Sequence, residues 1–408
     1  MNRVLLGFVL AFLWLPKLES QSHIYLIDDL SAQRIVDSVT QVMADSNLVG
    51  IAVALVYDRQ LVYTNSFGWE DENVSSFTAE TKVRWASVSK TITGLIAAKM
   101  WEDGALDPYA LVSDIVPESD VGNIRVNDLF YHQSGIEHYG GTCEDSGYMG
   151  AFNPDSTVSL VDSCSICFTP PGEVQLYSSF GSNLLGVVLD KVGLSSYGMG
   201  YYDFYLNNIR TPYGLLSLEQ DSTNTDIFMS KGYSGPGSEN VPEDVGWKLP
   251  SGGFMSNIVD MGRYMEIVLN YELLSQEYYD SLWTLRPIGG NPTFACDTTD
   301  SGINESFNPG FGVQWVVSDD VSINNPNFIA NHSGFNQTNS RTMLHLLPNK
   351  GLGVGILCNT TSQQAGNAVR KLRNILVGIL DCPGNREFIS LLGMGQSTVY
   401  EASTQIDA

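Results

Sequence analysis

Strand-like runs lie near both ends of this chain, and a long stretch from about residue 104 to 295 between them shows no clear strand alternation. The runs are Ile51 to Tyr57, Gln60 to Phe67, Gly312 to Val317, Thr342 to Leu347 and Gly353 to Cys358. Short polar turns join neighbouring runs, at Asp58-Arg59 and at Pro348-Asn349-Lys350-Gly351. This order predicts one antiparallel sheet built from both ends of the chain, with a mostly helical lobe inserted between them.

Three segments have helical signatures. Residues 31–46 place Ile35, Val39 and Val42 at helical spacing. A second helix is predicted from about Ser87 to Glu102, because Gly104 is a good terminator, and a third from about 363 to 380. The predicted fold class is therefore α/β (α+β), an antiparallel sheet flanked by helices, with the functional site expected in the cleft between the lobes.

These patterns predict one domain over residues 31–382. Its α/β lobe would comprise residues 31–100 and 300–382, its helical lobe residues 101–299, and residues 383–408 would form a loose tail. Residues 1–20 have the pattern of a signal peptide, with Arg3 before the apolar run Val4 to Leu15. That run is too short to span a bilayer, and no second apolar segment of that length follows. The expected location is secreted and extracellular, without a membrane partner.

The formal net charge is −24 at pH 7. Nucleic acids and anionic membranes require a basic surface, so this charge disfavours both as partners. It would attract cations, although a solvated acidic surface is the simpler interpretation.

Six cysteines suit an oxidising compartment: Cys143, Cys164, Cys167, Cys296, Cys358 and Cys382. Six cysteines allow 15 connectivities, and the sequence does not choose among them. Cys164 and Cys167 have no second pair or nearby histidines to complete a zinc site, so they are interpreted as disulfide partners. A bridge between Cys358 and Cys382 is plausible.

Five sequons for N-glycosylation occur, at Asn73, Asn304, Asn331, Asn336 and Asn359. Asn331 and Asn336 flank a motif assigned to the active site below, where a glycan would be an obstruction. Asn73, Asn304 and Asn359 are therefore the favoured glycosylation sites.

Ser87-Val88-Ser89-Lys90 begins the second predicted helix and is the only S-x-x-K pattern in the chain. A serine hydroxyl needs an adjacent base to act as a nucleophile. Lys90 lies on the same helical face as Ser87, and burial can lower a lysine pKa enough for it to accept a proton. The alternative is an ordinary helix start with a solvated lysine.

Two further motifs are weak alone. Tyr177-Ser178-Ser179 precedes a helix-like stretch, where a tyrosine could relay a proton or simply pack. His332-Ser333-Gly334 and Phe335 follow an apolar run, as at the edge of a strand, where a glycine allows substrate to approach the backbone.

Together, in this order, the three motifs resemble those of the serine β-lactamases and penicillin-binding proteins. Companion segments add to the resemblance: VNDLFYHQSGI at residues 126–136, YYDFYLNNIRTPYGL at 201–215, PSGG at 250–253, and Gly310-Phe311-Gly312 with Trp315. The resemblance covers about residues 31–380 and is nearest to the class C β-lactamase and carboxylesterase branch.

The resemblance implies specific roles. Ser87 would attack an ester or amide carbonyl of a small ester or peptide substrate, while Lys90 and Tyr177 handle the proton. The backbone N–H groups of Ser87 and Phe335 would form the oxyanion hole. Ser179, His332, Ser333 and Gly334 would line the substrate cleft. No cofactor and no metal ion are expected.

Two positions depart from the family pattern. Ser179 stands where an asparagine is usual, which removes an amide contact to substrate. His332 replaces the usual lysine, and the loss of that fixed charge disfavours tight binding of a β-lactam carboxylate. The expectation is therefore an esterase or a peptidase-like amidase.

Other classes of function fit the sequence less well or remain open. The five histidines form no H-x-H or HExxH pattern, and no G-x-S-x-G is present, which disfavours metallo-hydrolases and α/β-hydrolases. The serious alternative is a non-catalytic or weakly catalytic component of a calcium-rich extracellular matrix, since fold does not fix function. The chain also resembles the β-lactamase-like proteins of shell organic matrix, which would imply a role in biomineralization.

Overall fold

A computed structural model describes residues 26–139, 150–221, 229–288, 293–294, 310–318 and 322–381. The helices are α1 Asp29–Ser46, α2 Ser89–Glu102, α3 Val112–Ile115, α4 Val126–Phe130, α5 Pro154–Asp162, α6 Ser179–Tyr197, α7 Tyr201–Tyr205, α8 Leu249–Gly252, α9 Ile258–Leu269, α10 Gln276–Trp283 and α11 Gln363–Leu380. Short 3₁₀ turns cover Ala86–Val88, Gly246–Lys248 and Pro348–Lys350, and a π-helical turn covers Leu206–Arg210.

The strands are β1 Gly50–Tyr57, β2 Gln60–Asp71, β3 Ser75–Ser76, β4 Val83–Arg84, β5 Phe168–Thr169, β6 Glu219–Gln220, β7 Tyr233–Gly235, β8 Ser238–Glu239, β9 Phe254–Ser256, β10 Thr293–Phe294, β11 Gly310–Phe311, β12 Val316–Val317, β13 Ala330–Asn336, β14 Ser340–Leu347 and β15 Leu352–Cys358.

Eight strands form one sheet in the order β11-β12-β13-β14-β15-β1-β2-β3, and the neighbouring strands pair antiparallel. Ile51 of β1 pairs with Cys358 of β15, so the sheet joins the two ends of the chain. The predicted fold class, with helices inserted between strands of one antiparallel sheet, is confirmed. The exact residues that divide the two lobes stay a prediction.

Helices α1 and α11 cover one face of this sheet, which we call the outer face. Ile35, Val39 and Val42 of α1 are buried there, as their spacing predicted, together with Leu372 and Leu376 of α11. Both helices are amphipathic, and their polar residues face solvent.

The opposite, inner face packs against α2, α9 and the helical lobe. In α2, 11 of the 14 residues are buried, because sheet residues, α6, α8 and α10 surround it. A helix buried on all sides lies in the centre of a larger core. The start of α2 therefore lies where the sheet meets the helical lobe.

Short strands lie in the stretch that was predicted to be helical and without strand alternation. The described part of residues 104–295 contains six strands of two or three residues, β5 to β10, which are too short to show a period-two pattern. The continuous strand expected from Gly312 to Val317 is wrong. A tight turn with Gln314 in the left-handed region (φ 62°) separates β11 from β12 there, and the Gly312 N–H donates to the Trp315 carbonyl.

The cysteines correct one expectation. Cys358 is a buried free thiol, so the proposed bridge to Cys382 is wrong. Cys358 precedes α11, whose 18 residues span about 27 Å, whereas bridged Cα atoms lie within about 7 Å. Cys164 and Cys167 are not free thiols, and their pairing stays a prediction. Cys143, Cys296 and Cys382 lie outside the described residues.

The sequons also differ in exposure. Asn359 is fully buried, and its Nδ2 donates to the Trp69 carbonyl and to Ser230 Oγ. A glycan does not fit there, so this expected glycosylation site is wrong. Asn73 is exposed in a turn and stays a prediction. Asn304, residues 1–20 and residues 383–408 lie outside the described part of the chain. Among the described helices, none is long and apolar enough to cross a membrane.

Candidate active site

The turn Ala86–Val88 presents Ser87 to the cleft. Ala86 and Val88 are buried, whereas Ser87 is half-buried and lines the cleft. Ala86 has φ 47°, a left-handed conformation that is uncommon for a residue with a Cβ atom. Such strained residues cluster at functional sites, where the surrounding packing holds them. The local backbone is thus fixed to expose one hydroxyl at the start of α2.

Lys90 lies directly beneath that hydroxyl. Its Nζ is 3.4 Å from Ser87 Oγ, 3.0 Å from Ser179 Oγ and 2.7 Å from the carbonyl oxygen of Ser251. The side chain is 0% exposed. The amine of Lys90 therefore contacts Ser87, a predicted catalytic residue, and Ser179, a predicted substrate-binding residue.

The environment of Lys90 favours the neutral amine. Burial, and then the positive charge of Lys248, hold the pKa of Lys90 well below its ordinary value. No carboxylate among the described residues forms an ion pair with it. A neutral amine can donate its two N–H groups to Ser251 and Ser179, which leaves the lone pair for the hydroxyl of Ser87.

Tyr177 stands over the same amine, with Lys90 Nζ 4.9 Å from the centre of its ring. It lies just before α6, whose N-cap Ser178 accepts the Gly181 N–H. Burial raises the pKa of Tyr177, although the nearby Ser87 and Ser179 hydroxyls act in the opposite direction. The phenol is therefore protonated at neutral pH and suited to give a proton rather than to take one.

Strand β13 forms the opposite wall of the cleft. Its side chains alternate, so that His332 and Gly334 face inward while Ser333 and Phe335 are exposed on the other side. A Cβ atom at Gly334 would overlap the carbonyl of Trp85 and Thr342 Oγ1. Only glycine lets this strand lie against the turn that carries Ser87, which brings the backbone of Phe335 beside Ser87.

The predicted residues therefore converge. A cleft of ≈ 540 Å³ is lined by Ser87, Tyr177, His332, Ser333, Gly334 and Phe335. Lys90 and Ser179 lie buried behind it. Among the described residues, no group of three or more His, Cys, Asp or Glu side chains is arranged to hold a metal ion.

His138 is a cleft residue that the sequence reading did not select. Its Nδ1 accepts the N–H of Ser179, so in the neutral ring Nε2 carries the proton. Burial, then Lys90 and Lys248, lower the pKa of His138 to about 3. It therefore remains a neutral donor at physiological pH. The only sequence signal was its position two residues after the VNDLFYHQSGI segment.

Three buried polar atoms at and behind the cleft wall lack partners among the described residues: Tyr177 Oη and His332 Nε2, whose residues line the cleft, and His132 Nε2, whose ring packs against Tyr177. The rings of His132 and His332 lie 4.7 and 6.1 Å from that of Tyr177. Burial and then Lys90 lower the pKa of His332 to about 3, so it carries no charge. Unsatisfied buried groups of this kind mark a place where a water or a ligand supplies the missing hydrogen bonds.

Lys248 also lines the cleft, and the sequence reading missed it. Its Nζ lies 5.3 Å from the centre of the Tyr139 ring and 3.8 Å from Glu243 Oε1. The cleft thus keeps a cation although His332 is neutral, but this cation comes from the helical lobe and has a carboxylate beside it.

The antiparallel sheet, the inserted lobe and the cleft with serine, lysine and tyrosine define the class of serine β-lactamases and penicillin-binding proteins. The chain belongs to the β-lactamase family, a family of serine hydrolases, because the family's sequence model matches residues 35–378. The resemblance found in the sequence is confirmed.

Relatives among known proteins are distant. Beta-lactamase-like protein 2 of Dictyostelium discoideum is 25% identical over 245 residues, which are 56% of this chain and 44% of that protein. Protein flp of Staphylococcus aureus strain MW2 is 23% identical over 361 residues, 85% of this chain and 67% of that protein. The chain thus spans less than half of the first relative and about two thirds of the second.

Solved structures share the fold. The octameric penicillin-binding protein homologue from Pyrococcus abyssi superposes with a TM-score of 0.66 at 20% identity, over 85% of this chain and 77% of that one. The β-lactamase/D-alanine carboxypeptidase from Yersinia pestis, complexed with citrate, has a TM-score of 0.65 at 20% identity, and the match covers 86% of this chain and 98% of that one. A class C β-lactamase has a TM-score of 0.66 at 18% identity, and the match covers 85% of this chain and 96% of that one.

Proposed function

We propose that this protein is a secreted esterase or peptidase-like amidase that works through an acyl-enzyme on Ser87. The observation that carries the proposal is the buried amine of Lys90, held between Ser87, Ser179 and the Ser251 carbonyl. Burying an amine sacrifices its hydration and costs stability, and a catalytic use would account for a lysine at this position.

Acylation uses the neutral amine. As Ser87 Oγ bonds to the substrate carbonyl carbon, its proton passes to Lys90 Nζ, and the carbonyl oxygen becomes an oxyanion. The backbone N–H groups of Ser87 and Phe335 are the proposed donors to that oxyanion. The close packing of Gly334 against Trp85 supports this assignment, because it holds the two backbones together.

Tyr177 completes the proton transfer. Its protonated phenol gives a proton to the departing oxygen or nitrogen as the carbonyl–leaving-group bond breaks, and Lys90 returns the proton to Tyr177. A water then repeats the sequence on the acyl-enzyme and restores Ser87. The raised pKa of Tyr177 keeps the phenol protonated at neutral pH, which is the state that this role requires.

The polar groups of the cleft favour a neutral acyl group beside Ser87. His332 is uncharged because its pKa is about 3, and Lys248 has Glu243 nearby. A β-lactam carboxylate would therefore find no free, fixed cation next to the reacting carbonyl. This supports an ester or peptide-like substrate over a β-lactam antibiotic.

The test is labelling of the full-length protein with a fluorophosphonate and hydrolysis of p-nitrophenyl butyrate. We expect Ser87→Ala to lose labelling and at least about 10³-fold in kcat/KM. Ser89→Ala is the matched control. Its hydroxyl accepts the Phe254 N–H and is not part of the cleft wall, so its labelling should persist.

Folded protein that neither labels nor hydrolyses the ester would refute catalysis and favour the matrix role. Rapid Ser87-dependent turnover of benzylpenicillin would instead contradict the esterase assignment while keeping the acyl-enzyme. Secretion is tested separately, by finding the N-terminus of the mature protein after expression in a eukaryotic cell. A mature chain that retains residues 1–20 would contradict the signal peptide.

A further inference from the structure

The catalytic cleft continues beyond Ser87, past strand β13, onto the outer face of the sheet. Its lining includes inward residues of β13 and also Phe335, Arg341 and Arg370, which lie on the α11 side. Among the described residues, β12 pairs with Ala330 and Asn331 alone, and no described strand pairs with β13 on that side from His332 onward. The run from His332 to Phe335 covers about 10 Å.

Arg341 is held in a fixed position at this far end. Its guanidinium carbon lies 3.5 Å from the centre of the Phe335 ring, and Nε donates to the Thr361 carbonyl at 3.0 Å. On the opposite side is Gly366 of α11, where a Cβ atom would come within 3.3 Å of that carbon. A planar cation packed between a ring and a glycine is preorganised, because little side-chain freedom remains to be lost on binding.

The same guanidinium lacks a counter-ion. Neither Arg341 nor Arg370 forms an ion pair with a carboxylate of the described residues, although the chain has 45 Asp and Glu residues against 21 Lys and Arg. The terminal nitrogens of Arg341 make no hydrogen bond within the described part of the chain. Burial and then Arg370 lower the pKa of Arg341, which is the effect expected of two cations that share one surface.

We propose that Arg341 and Arg370 form a subsite for a carboxylate carried by the substrate at a distance from its scissile bond. The inference rests on the proposed function and narrows its substrate class to carboxylate-bearing esters or amides. The two terminal nitrogens of Arg341 match the two oxygens of a carboxylate and have no acceptor among the described residues, whereas Arg370 Nη2 donates to Asn367 Oδ1 and keeps its other N–H groups for a ligand.

Lys248 is the competing cation in the cleft. It has Glu243 at 3.8 Å and lies across the cleft in the helical lobe, whereas the arginine pair has no described carboxylate. An anion at Lys248 would have to overcome that neighbouring negative charge. The arginine pair is therefore the better acceptor of a distal anion.

The experiment compares substrates that differ only in the distal carboxylate. Mono-p-nitrophenyl suberate is paired with p-nitrophenyl octanoate, and the octanoyl ester of 4-hydroxyphenylpropionate with that of 4-propylphenol. The two pairs place the carboxylate on the acyl side and on the leaving-group side. In at least one pair we expect the wild-type kcat/KM to favour the carboxylate by about tenfold, which equals about 1.4 kcal/mol.

Arg341→Gln and Arg370→Gln should each reduce that ratio toward one. Lys371→Gln, which removes one positive charge from the neighbouring position of the same helix, should keep it. Arg370 is exposed, so its variant tests the subsite even if Arg341→Gln does not fold. An equal preference in all four proteins, no preference in the wild type, or loss of preference in Lys248→Gln alone would overturn the proposal.

A binding measurement separates this subsite from the catalytic proposal. Titration calorimetry of suberate into the Ser87→Ala protein should show binding that Arg341→Gln or Arg370→Gln abolishes. Arginine-dependent binding without Ser87-dependent turnover would refute the catalytic function and keep the subsite. Turnover without arginine-dependent binding or preference would refute the subsite and keep the function.

Discussion

On the outer face of the eight-stranded sheet, α1 and α11 bury almost purely apolar side chains, whereas on the inner face α2 and α6 bury polar ones beside them. The outer core is Ile, Val and Leu packed on β1, β14 and β15. The inner core contains Lys90 and Thr93, whose polar atoms bond to Ser251 and Pro250 carbonyls.

The difference separates stability from chemistry. Apolar burial contributes about 25 cal/mol per Å² and requires no specific hydrogen-bond partner. A mutation that removes apolar area from the outer face should therefore lower stability without altering the cleft. The buried polar atoms of the inner face need defined partners and leave a few atoms unsatisfied at the cleft. We therefore expect mutations on the two faces to affect different measurements.

The largest effect should come from Lys90→Met. Loss of the base should lower kcat/KM for p-nitrophenyl butyrate by about 10²–10⁴-fold. The free energy of unfolding in urea should change by less than about 1 kcal/mol, because a buried amine is replaced by an apolar chain of similar length. A variant that unfolds readily but keeps its rate per folded molecule would contradict this.

The reverse pattern is expected for Leu372→Ala. Leu372 is fully buried on the outer face, so the cavity should cost about 2–5 kcal/mol in the free energy of unfolding. The kcat/KM of the folded fraction should stay at the wild-type value. The neighbouring exposed Lys371→Ala should change stability by less than about 0.5 kcal/mol. A lost rate in folded Leu372→Ala would show that the faces are coupled.

Gly334→Ala should affect both stability and kcat/KM, since the glycine lies where the sheet contacts the turn Ala86–Val88. The added methyl group would overlap the Trp85 carbonyl, force β13 away from Ser87, and cost about 1–3 kcal/mol in stability. It should also slow acylation. Gly378→Ala on α11 has open space around it and should be neutral or slightly stabilising, by up to about 1 kcal/mol. Full activity in Gly334→Ala would argue against the proposed oxyanion hole.

The last prediction concerns the pH dependence of stability rather than a loss of activity. Burial, and then Arg373, lower the pKa of His345 on the outer side to about 3, below the unfolded value of 6.5. The unfolded chain therefore binds a proton first, so this contribution is complete above pH 6.5 and declines as the pH falls toward 3. The slope is about 1.4 kcal/mol per pH unit for each such histidine.

Urea titrations from pH 7 to 4 should show that the free energy of unfolding of His345→Gln depends less steeply on pH than that of the wild type, by the contribution of one histidine. His132, His138 and His332, whose pKa values are also lowered on the cleft side, should supply the remainder. An unchanged slope in His345→Gln would mean that His345 is protonated in the native state.

Much of the molecule could be inferred from local patterns. The periodicity of residues 31–46 and of α11, the β1–β2 hairpin and the S-x-x-K start of α2 all depend on neighbours in the chain. The short strands could not be inferred, because a two-residue strand such as β12 exists only through its pairing with β13. The free thiol of Cys358 differs from these strands, because the helix predicted over 363–380 already separates Cys358 from Cys382 by more than a disulfide can span.

Residue type, order and spacing were enough to predict the fold class and the family, and to select Ser87, Lys90 and Tyr177 as the candidate catalytic residues. The folded chain was needed to show that Lys90 is buried with no described carboxylate beside it and that His138 and Lys248 line the cleft. It also decided that Arg341 packs between Phe335 and Gly366. Desolvation and the placement of charges are set by residues far apart in the chain, and they appear only when the two ends and the inserted lobe come together.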